Sequence, residues 1–277
     1  MKLVGYFILL YCFFAEVNNH ATGNVFMLSV VIITKNEAHI IENTLQSLQG
    51  VSDDIVIVDS GSTDETIAIC KKFNATVIQT GWDGYGANKN KGIDAARYDW
   101  ILSLDADEAI DTELRAVLQN LSPVNDGIVY KLTYNNFFCN KHIRFGVWGT
   151  DRHIRLFNRK KVKWNNAEVH ENLVFPVDVK VVTLKGKVLH YTVNSIKEFS
   201  DKTNAYALSN AKKYKLQGKK AGFVKLYFAP AFNFIQHYFF RLGFLDGWEG
   251  YLICKTNAWY TFMKYVFLKE LNKKDNR

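Results

Sequence analysis

From residue 28 the chain repeats one unit: a short β-branched apolar run, a few polar residues at its end, then a segment with helical spacing. Leu28–Thr34 is the first run, Ile55–Asp59 the second, Ala75–Gln79 the third and Trp100–Leu104 the fourth. Between them, Ala38–Leu48 carries Ile40, Ile41, Leu45 and Leu48 at helical intervals. Ser62-Thr63-Asp64-Glu65 opens a helix running to about Phe73, with Ser62 or Thr63 as its N-cap. A glycine-rich turn, Gly81 to Gly86, leads into a helix near Asn88–Ala96. Runs this short and this apolar are strands covered on both faces. Strands alternating with helices of this length make a mostly parallel sheet with right-handed crossovers. In such sheets ligands bind outside the carboxyl ends of the strands.

The polar residues at those ends therefore carry the functional reading. The fourth run stops at Asp105-Ala106-Asp107-Glu108. On an extended backbone Asp105 and Asp107 point the same way. Two such carboxylates repel unless a cation or hydrogen-bond donors neutralise them. The same stretch also reads as a strand followed by an acidic loop that caps the next helix. Three earlier stretches fall at corresponding strand ends. Thr34-Lys35-Asn36-Glu37 follows the first strand, and Asp59-Ser60-Gly61-Ser62-Thr63-Asp64 follows the second, where Gly61 permits a tight turn. Gly86-Ala87-Asn88-Lys89-Asn90-Lys91-Gly92 offers lysines and asparagines to a phosphate or a base. Each alone also reads as a capped helix start or a solvated helix face.

Beyond Thr112–Leu121, a helix, the pattern changes. Gly127–Phe138, Arg152–Asn158 and Val179–Tyr191 read as strands with no long helix between them, an antiparallel edge or β-rich insertion. From Ser195 onward the chain is helical, aromatic and basic: residues 197 to 277 hold fifteen Lys/Arg against six Asp/Glu. The whole chain of 277 residues has a net charge of +8, which suits an anionic partner such as a nucleotide or a lipid surface. Phe223–Phe240 and Tyr251–Phe267 are apolar but broken by Lys225, Arg241, Lys255 and Lys264, which favours helices lying on a membrane or on the catalytic domain over bilayer spans. The division expected is a 1–26 apolar extension, a 27–195 catalytic domain and a 196–277 helical region. Leu3 to Ala15 is apolar behind Lys2, the size of a signal-peptide h-region. It reads instead as a mis-assigned start ahead of Met27 or a membrane-associated extension. Cys12, Cys70, Cys139 and Cys254 lie far apart with no CxxC pair, so neither a disulfide framework nor a zinc site is expected.

Taken together, SVVIITKNEAHI, IVIVDSGSTDET, GANKNKGID and DWILSLDADE resemble the family 2 glycosyltransferases of GT-A fold. That fold is α/β and Rossmann-like, a mostly parallel sheet with an antiparallel extension, here followed by a C-terminal helical, aromatic and basic region. RHIRLFNRKKVKW, AEVHENL and HYFFRLGFLDGWEGY are similar to the bacterial lipopolysaccharide core β-glucosyltransferases within that family. The resemblance implies a UDP-sugar donor and a Mg²⁺ or Mn²⁺ ion. It places Thr34, Asn36 and Glu37 near the nucleoside, Asp59 on the uracil, and Lys91 or Asn88 on base or phosphate. Asp105 would contact ribose or metal, Asp107 would be the principal metal ligand, and His190 could complete the metal sphere.

An inverting transfer also needs a base for the acceptor hydroxyl. The resemblance points to Glu171 in Ala167-Glu168-Val169-His170-Glu171, with Glu168 as its rival. Arg152 and Arg155 could contact the donor diphosphate or an anionic acceptor, or merely line a wet strand. The expected partners are a nucleotide-sugar donor, a glycan or glycolipid acceptor and a membrane surface, with no nucleic acid; the expected place is the cytoplasm, peripheral on the inner face of the membrane. A nucleotidyltransferase would carry a glycine-rich phosphate loop after its first strand, where this chain has Thr34-Lys35-Asn36-Glu37. A dinucleotide-binding oxidoreductase would show GxGxxG there.

Overall fold

A computed structural model of the chain describes residues 26–123, 125–149, 151–165 and 172–274. Glu168, Glu171 and the N-terminal apolar stretch lie outside the described residues. The sheet begins with four parallel strands in the order β3 (Thr76–Gln79), β2 (Asp54–Asp59), β1 (Leu28–Thr34), β4 (Trp100–Asp105). It continues through β8 (Asp151–Asn158), antiparallel to β4, and β6 (Ile128–Phe138), antiparallel to β8. The long strand β11 (Lys180–Val193) runs parallel to β6 and carries β5 (Glu108–Ile110) on its outer edge; β7 (Lys141–Ile143) pairs with β6. A separate two-stranded ribbon joins β9 (Lys163–Trp164) to β10 (Leu173–Val174). This is the GT-A-like α/β architecture expected, with its antiparallel extension.

Period-two alternation sorts the apolar side chains. Val30 and Ile32 of β1 pack with Ile41, Leu45 and Leu48 from helix α1 (Ile41–Ser47). Val31 turns to the other face and meets Ile93 from helix α3 (Tyr85–Ala95). Helix α2 (Thr66–Lys72) covers the first face with Cys70. α3 lies close on the sheet because Gly92 has no side chain: a Cβ there would run into Val31 and Val58. Helix α4 (Thr112–Gln119) is capped by Asp111, whose side chain accepts from the Leu114 N–H.

The C-terminal segment is helical, as its pattern suggested. Helix α5 (Ile196–Leu216) starts at Ser195, which caps the Glu198 N–H. Helix α6 (Phe223–Ile235) passes through a π turn and a 3₁₀ turn into the long helix α7 (Gly247–Lys274). Ile253 of α7 joins Phe138, Ile143 and Val193 in a small core, and buried Asp246 accepts from the Arg144 and Phe145 N–H groups. No helix among the described residues is long and apolar enough to cross a membrane.

Three local expectations are corrected. Neither Ser62 nor Thr63 caps α2: the Ser62 hydroxyl accepts from the Asn36 N–H, and the Thr63 N–H donates to the Asn36 side chain, so both tie the second strand-end loop to the first. The first helix starts three residues late, since Glu37 O accepts from the Ile40 and Ile41 N–H groups in a preceding turn. The third starts three residues early, at Tyr85 and not Asn88, so Gly86 belongs to the helix and not to the turn before it.

Candidate active site

Where the strand order reverses, between β1 and β4, the sheet opens a crevice at its carboxyl ends, the topological position at which such sheets bind ligands. A cavity of about 460 Å³ occupies it. Ile33, Thr34, Lys35 and Glu37 supply one wall, Asp105, Ala106 and Asp107 another, and Lys202 and Tyr206 reach in from α5.

The extended-backbone picture of Asp105 and Asp107 fails. β4 ends at Asp105, and Ala106-Asp107 form a turn before β5. The two carboxylates consequently enter different surroundings. Asp105 faces the chain's own cations: Lys89 Nζ lies 3.2 Å from Oδ1 and the Arg155 guanidinium 3.2 Å from Oδ2. Burial would raise its pKa, but the charges of Lys89 and Arg155 hold it below the usual carboxylate range. Arg155 also bonds Glu108 at 2.9 Å and the Tyr134 hydroxyl at 2.7 Å, and the Asp105 N–H donates to Glu108. Burial pushes Glu108 upward against the pull of Arg155. Lys89 is fully buried, with its ammonium over the Trp164 ring.

Asp107 is fixed by its backbone, whose carbonyl accepts from the Tyr191 N–H of β11. Its Oδ2 stands 3.5 Å from His190 Nε2. The other ring nitrogen, Nδ1, lies 2.9 Å from Asn136 Oδ1, and the Asn136 amide donates to the Trp148 carbonyl. That amide orientation makes Nδ1 the donor and turns Nε2 toward Asp107. Burial would lower the His190 pKa, yet contact with Asp107, with Glu108 and Asp105 behind it, lifts it to about 9. Glu37 rises to about 7, first through burial and then through the Asp107 charge.

Asp59 is fully buried at the end of β2, beside Thr34 in register. Its Oδ2 accepts from the Gly61 and Ser62 N–H groups, a turn that the positive φ of Gly61 allows. Its Oδ1 and the Thr34 hydroxyl are buried with no hydrogen-bond partner among the described residues. Buried polar atoms of that kind call for a ligand or a water.

Among the other expected residues, Asn36 holds a left-handed φ of 56° and links the two loops. Asn88 is buried and donates to the Ser60 hydroxyl and the Gly81 carbonyl. Lys91 pairs with Asp83 and Thr80. Neither lines the cavity. Arg155, read as a contact to diphosphate or acceptor or as a wet strand residue, is buried inside the carboxylate cluster; the side chain of Arg152 is exposed. Lys89, Glu108, Lys202 and Tyr206 were not singled out. Lys89 and Glu108 stand inside motifs already noted, whereas Lys202 and Tyr206 arrive from α5 with no local signal.

No cluster of three or more His, Cys, Asp or Glu among the described residues is arranged to hold a metal ion. Asp107 lines the open cavity, and His190 stands against that carboxylate without lining the cavity itself. That donor set fits a hard divalent cation that takes the rest of its shell from phosphate oxygens and water.

Comparison with known proteins gives consistent matches. The family model described as glycosyl transferase family 2 matches residues 29–173. An uncharacterized glycosyltransferase of Rickettsia bellii is 30% identical, over 88% of this chain and 87% of its own. The lipopolysaccharide core biosynthesis glycosyltransferase LpsC of Rhizobium meliloti is 30% identical, over 85% of this chain and 89% of its own. Among solved structures, S. aureus TarS in complex with UDP matches 90% of this chain and 92% of its own at 17% identity, with a TM-score of 0.43.

Proposed function

The chain belongs to glycosyl transferase family 2, and from that premise we propose that it moves a hexose such as glucose from a UDP-sugar to a glycan or glycolipid acceptor of the cell envelope, in lipopolysaccharide core synthesis. The observation that carries the donor reading is the position of Asp107: at the switch-point crevice, on the cavity wall, with His190 as its ion-pair partner. The partnerless oxygens of Asp59 and Thr34 suit the N–H and hydroxyl donors of a uridine. Asn36 would hold the two loops around the nucleoside, with Glu37 beside it. Lys35 and Lys202 bring positive charge to the cavity, where a diphosphate would lie.

The reaction proposed is a single displacement with inversion. The acceptor oxygen bonds to the anomeric carbon as the bond from that carbon to the diphosphate breaks. Glu171 takes the acceptor proton, and Glu168 is next in order for that role. Asp107 and His190 would hold a Mg²⁺ or Mn²⁺ ion, which when bound supplies Lewis-acid stabilisation of charge on the departing diphosphate. Asp105 reaches the same wall already neutralised by Lys89 and Arg155, so its part is to shape the crevice and meet the ribose. The helical segment would rest on the inner face of the membrane, since Phe223, Phe228, Phe232 and Phe240 are exposed beside Lys219, Lys220, Lys225 and Arg241.

A panel of UDP-sugars incubated with the protein and Mn²⁺ tests the donor reading. Slow UDP release from at least one, lost in Asp107→Ala, is expected; no release from any member of the panel overturns it. Glu171→Gln with near-normal transfer and intact folding would move the base to Glu168.

A further inference from the structure

Helix α5 lines three neighbouring cavities. Lys202 and Tyr206 stand in the wall of the crevice just described. Tyr206 also borders a second cavity of about 580 Å³, together with Phe199, Thr203 and Asn210 from the same helix. Phe199 and Thr203 then border a third, of about 790 Å³, between α5, α6 and α7. Thr256 of α7 is likewise common to the second and third. Positions 199, 203, 206 and 210 recur at three- and four-residue spacing, so they form one stripe along the helix. At about 1.5 Å of rise per residue the stripe is on the order of 16 Å long.

The chemistry changes from cavity to cavity, and neighbouring cavities share residues: the first and second share Tyr206, the second and third Phe199 and Thr203. The first cavity is charged, with Glu37, Asp105, Asp107, Lys35 and Lys202. The second mixes aromatic rings with hydrogen-bonding groups: Trp148, Tyr206 and Tyr260 stand with Asp151, Asn210 and Asn257. Rings that offer flat apolar faces, alternating with amides and a carboxylate, are what a carbohydrate needs, because a sugar presents C–H faces and hydroxyl edges. The third is apolar. Its walls include Leu226, Pro230, Ala231, Phe234 and Phe262, and among the described residues Lys255 is its one charged lining residue. Tyr227, Ile235 and Trp259 at its walls are exposed, and Phe228 and Phe232 continue the apolar surface along α6.

We propose that this stripe is the acceptor track: the acceptor is a lipid-linked glycan whose alkyl chain lies in the groove between α5, α6 and α7, whose sugars cross the middle cavity, and whose reacting hydroxyl reaches the crevice past Tyr206. The order of the cavities matches the order of parts in such a molecule, apolar tail, sugar, reacting end. A soluble oligosaccharide would use the first two cavities and give the third no occupant. The inference rests on the donor reading for where the reacting end lies, and on the groove alone for where the chain lies.

The test uses the full chain and dodecyl maltoside, a disaccharide bearing one saturated chain, kept below its micelle concentration, with maltose as the chain-free probe. Titration calorimetry measures both. Dodecyl maltoside is expected to bind about tenfold or more tightly than maltose, since burial of the alkyl chain adds to the sugar contacts. Ala231→Trp on α6 and Ser200→Trp on α5 fill the groove from opposite walls, at exposed positions where a larger side chain does not disturb a core. Each should weaken dodecyl maltoside about tenfold and leave maltose unchanged. Phe228→Ser, on the open surface beyond the groove, should bind like the wild type. Equal affinity for the two probes overturns the proposal. So does unchanged binding by both groove-filling variants, and so does a loss confined to Phe228→Ser, which would place the chain on the open surface. UDP release from the donor panel is read on the same samples: its absence in the wild type sinks the donor reading while the groove measurement stands.

Discussion

Asp105 and Asp107 are two residues apart, share one cavity wall and live under opposite electrostatic regimes. Around Asp105 the protein has brought two cations of its own, Lys89 and Arg155, and a second carboxylate, Glu108, to share them. Beside Asp107 it has brought an imidazole that can lose its charge, while Lys202, across the same cavity, is paired with Glu198. The difference arises in a single turn. β4 delivers Asp105 between α3 and β8, while the Tyr191 N–H of β11 draws the Asp107 backbone to the other side. A carboxylate matched by fixed cations has its charge already balanced; one matched by an imidazole would, under the proposed function, take up a metal ion together with that imidazole once the ring gives up its proton. Acidic motifs of this kind are thus better read residue by residue than as a pair of equivalent ligands.

The hardest blow to this contrast would come from the scaffold side. Arg155→Met leaves Glu108 and Asp105 without their shared guanidinium and takes away the donor that the Tyr134 hydroxyl accepts from, leaving that hydroxyl only its bond to Glu108. Removing one partner of a buried ion pair costs about 3–5 kcal/mol. Denaturant unfolding should show a loss of that size, and Arg155→Lys should recover little of it, because an ammonium cannot reproduce the forked contacts. A stability within about 1 kcal/mol of wild type would dissolve the distinction, reducing Arg155 to a surface-like pair.

Asp107→Ala should do the reverse. Its unfolding free energy should stay within about 1 kcal/mol of wild type, the size of a lost partly exposed contact, while UDP release falls about 10²–10³-fold, the scale for removing one electrostatic support of a leaving group. Matching losses of stability and activity would place both carboxylates in the scaffold.

How far the sequence foretold this contrast depends on distance along the chain. Strands β1, β2 and β4 were legible because β-branched runs such as Val30-Val31-Ile32-Ile33 leave a doubly covered strand as the economical solution. The strand-end positions of Thr34, Asp59 and Asp105 follow from those runs. The turn at Ala106-Asp107 was not legible, because β5 exists only through its pairing with β11, some eighty residues on. Nor was the cation set of Asp105, since Lys89 reaches it from a helix whose start depends on Gly84 and whose closeness depends on Gly92. Lys202 and Tyr206 enter the cavity through the packing of α5, which leaves no mark in residues 202 to 206 themselves.

A gentler probe is pH. The folded-state pKa of His190, about 9, lies above its ordinary 6.5. A histidine raised in this way stabilises the fold fully below pH 6.5, and that contribution is lost as pH rises through 9. Asp105 has the opposite sense: its depressed pKa stabilises the fold above the usual carboxylate range and is lost only in acid. In metal-free buffer, unfolding free energy should therefore decline by on the order of 1 kcal/mol between pH 6.5 and 9, and His190→Gln should flatten that decline. An unchanged slope in the variant would assign the decline to other groups and leave Asp107 with a weaker partner than the geometry gives it.

The smallest effect reads the field of Asp107 at a neighbour. Glu37 titrates at about 7, raised chiefly by burial and next by the Asp107 charge, with Lys202 pulling the other way. Its raised pKa means the folded state keeps a proton there that the unfolded chain gives up above pH 4.5, so this carboxyl's stabilisation is lost as pH climbs through 7. Carbon-13 NMR of the labelled carboxyl follows that proton directly. Asp107→Asn removes the second cause and leaves the first, so the Glu37 midpoint should fall below 7 while staying above 4.5. Arg155→Lys, which keeps the positive charge in the neighbouring cluster, should move it less. If Asp107→Asn leaves the midpoint in place, the Asp107 charge is screened from the cavity, and the sharp difference between the two carboxylates narrows to one of hydrogen-bond geometry alone.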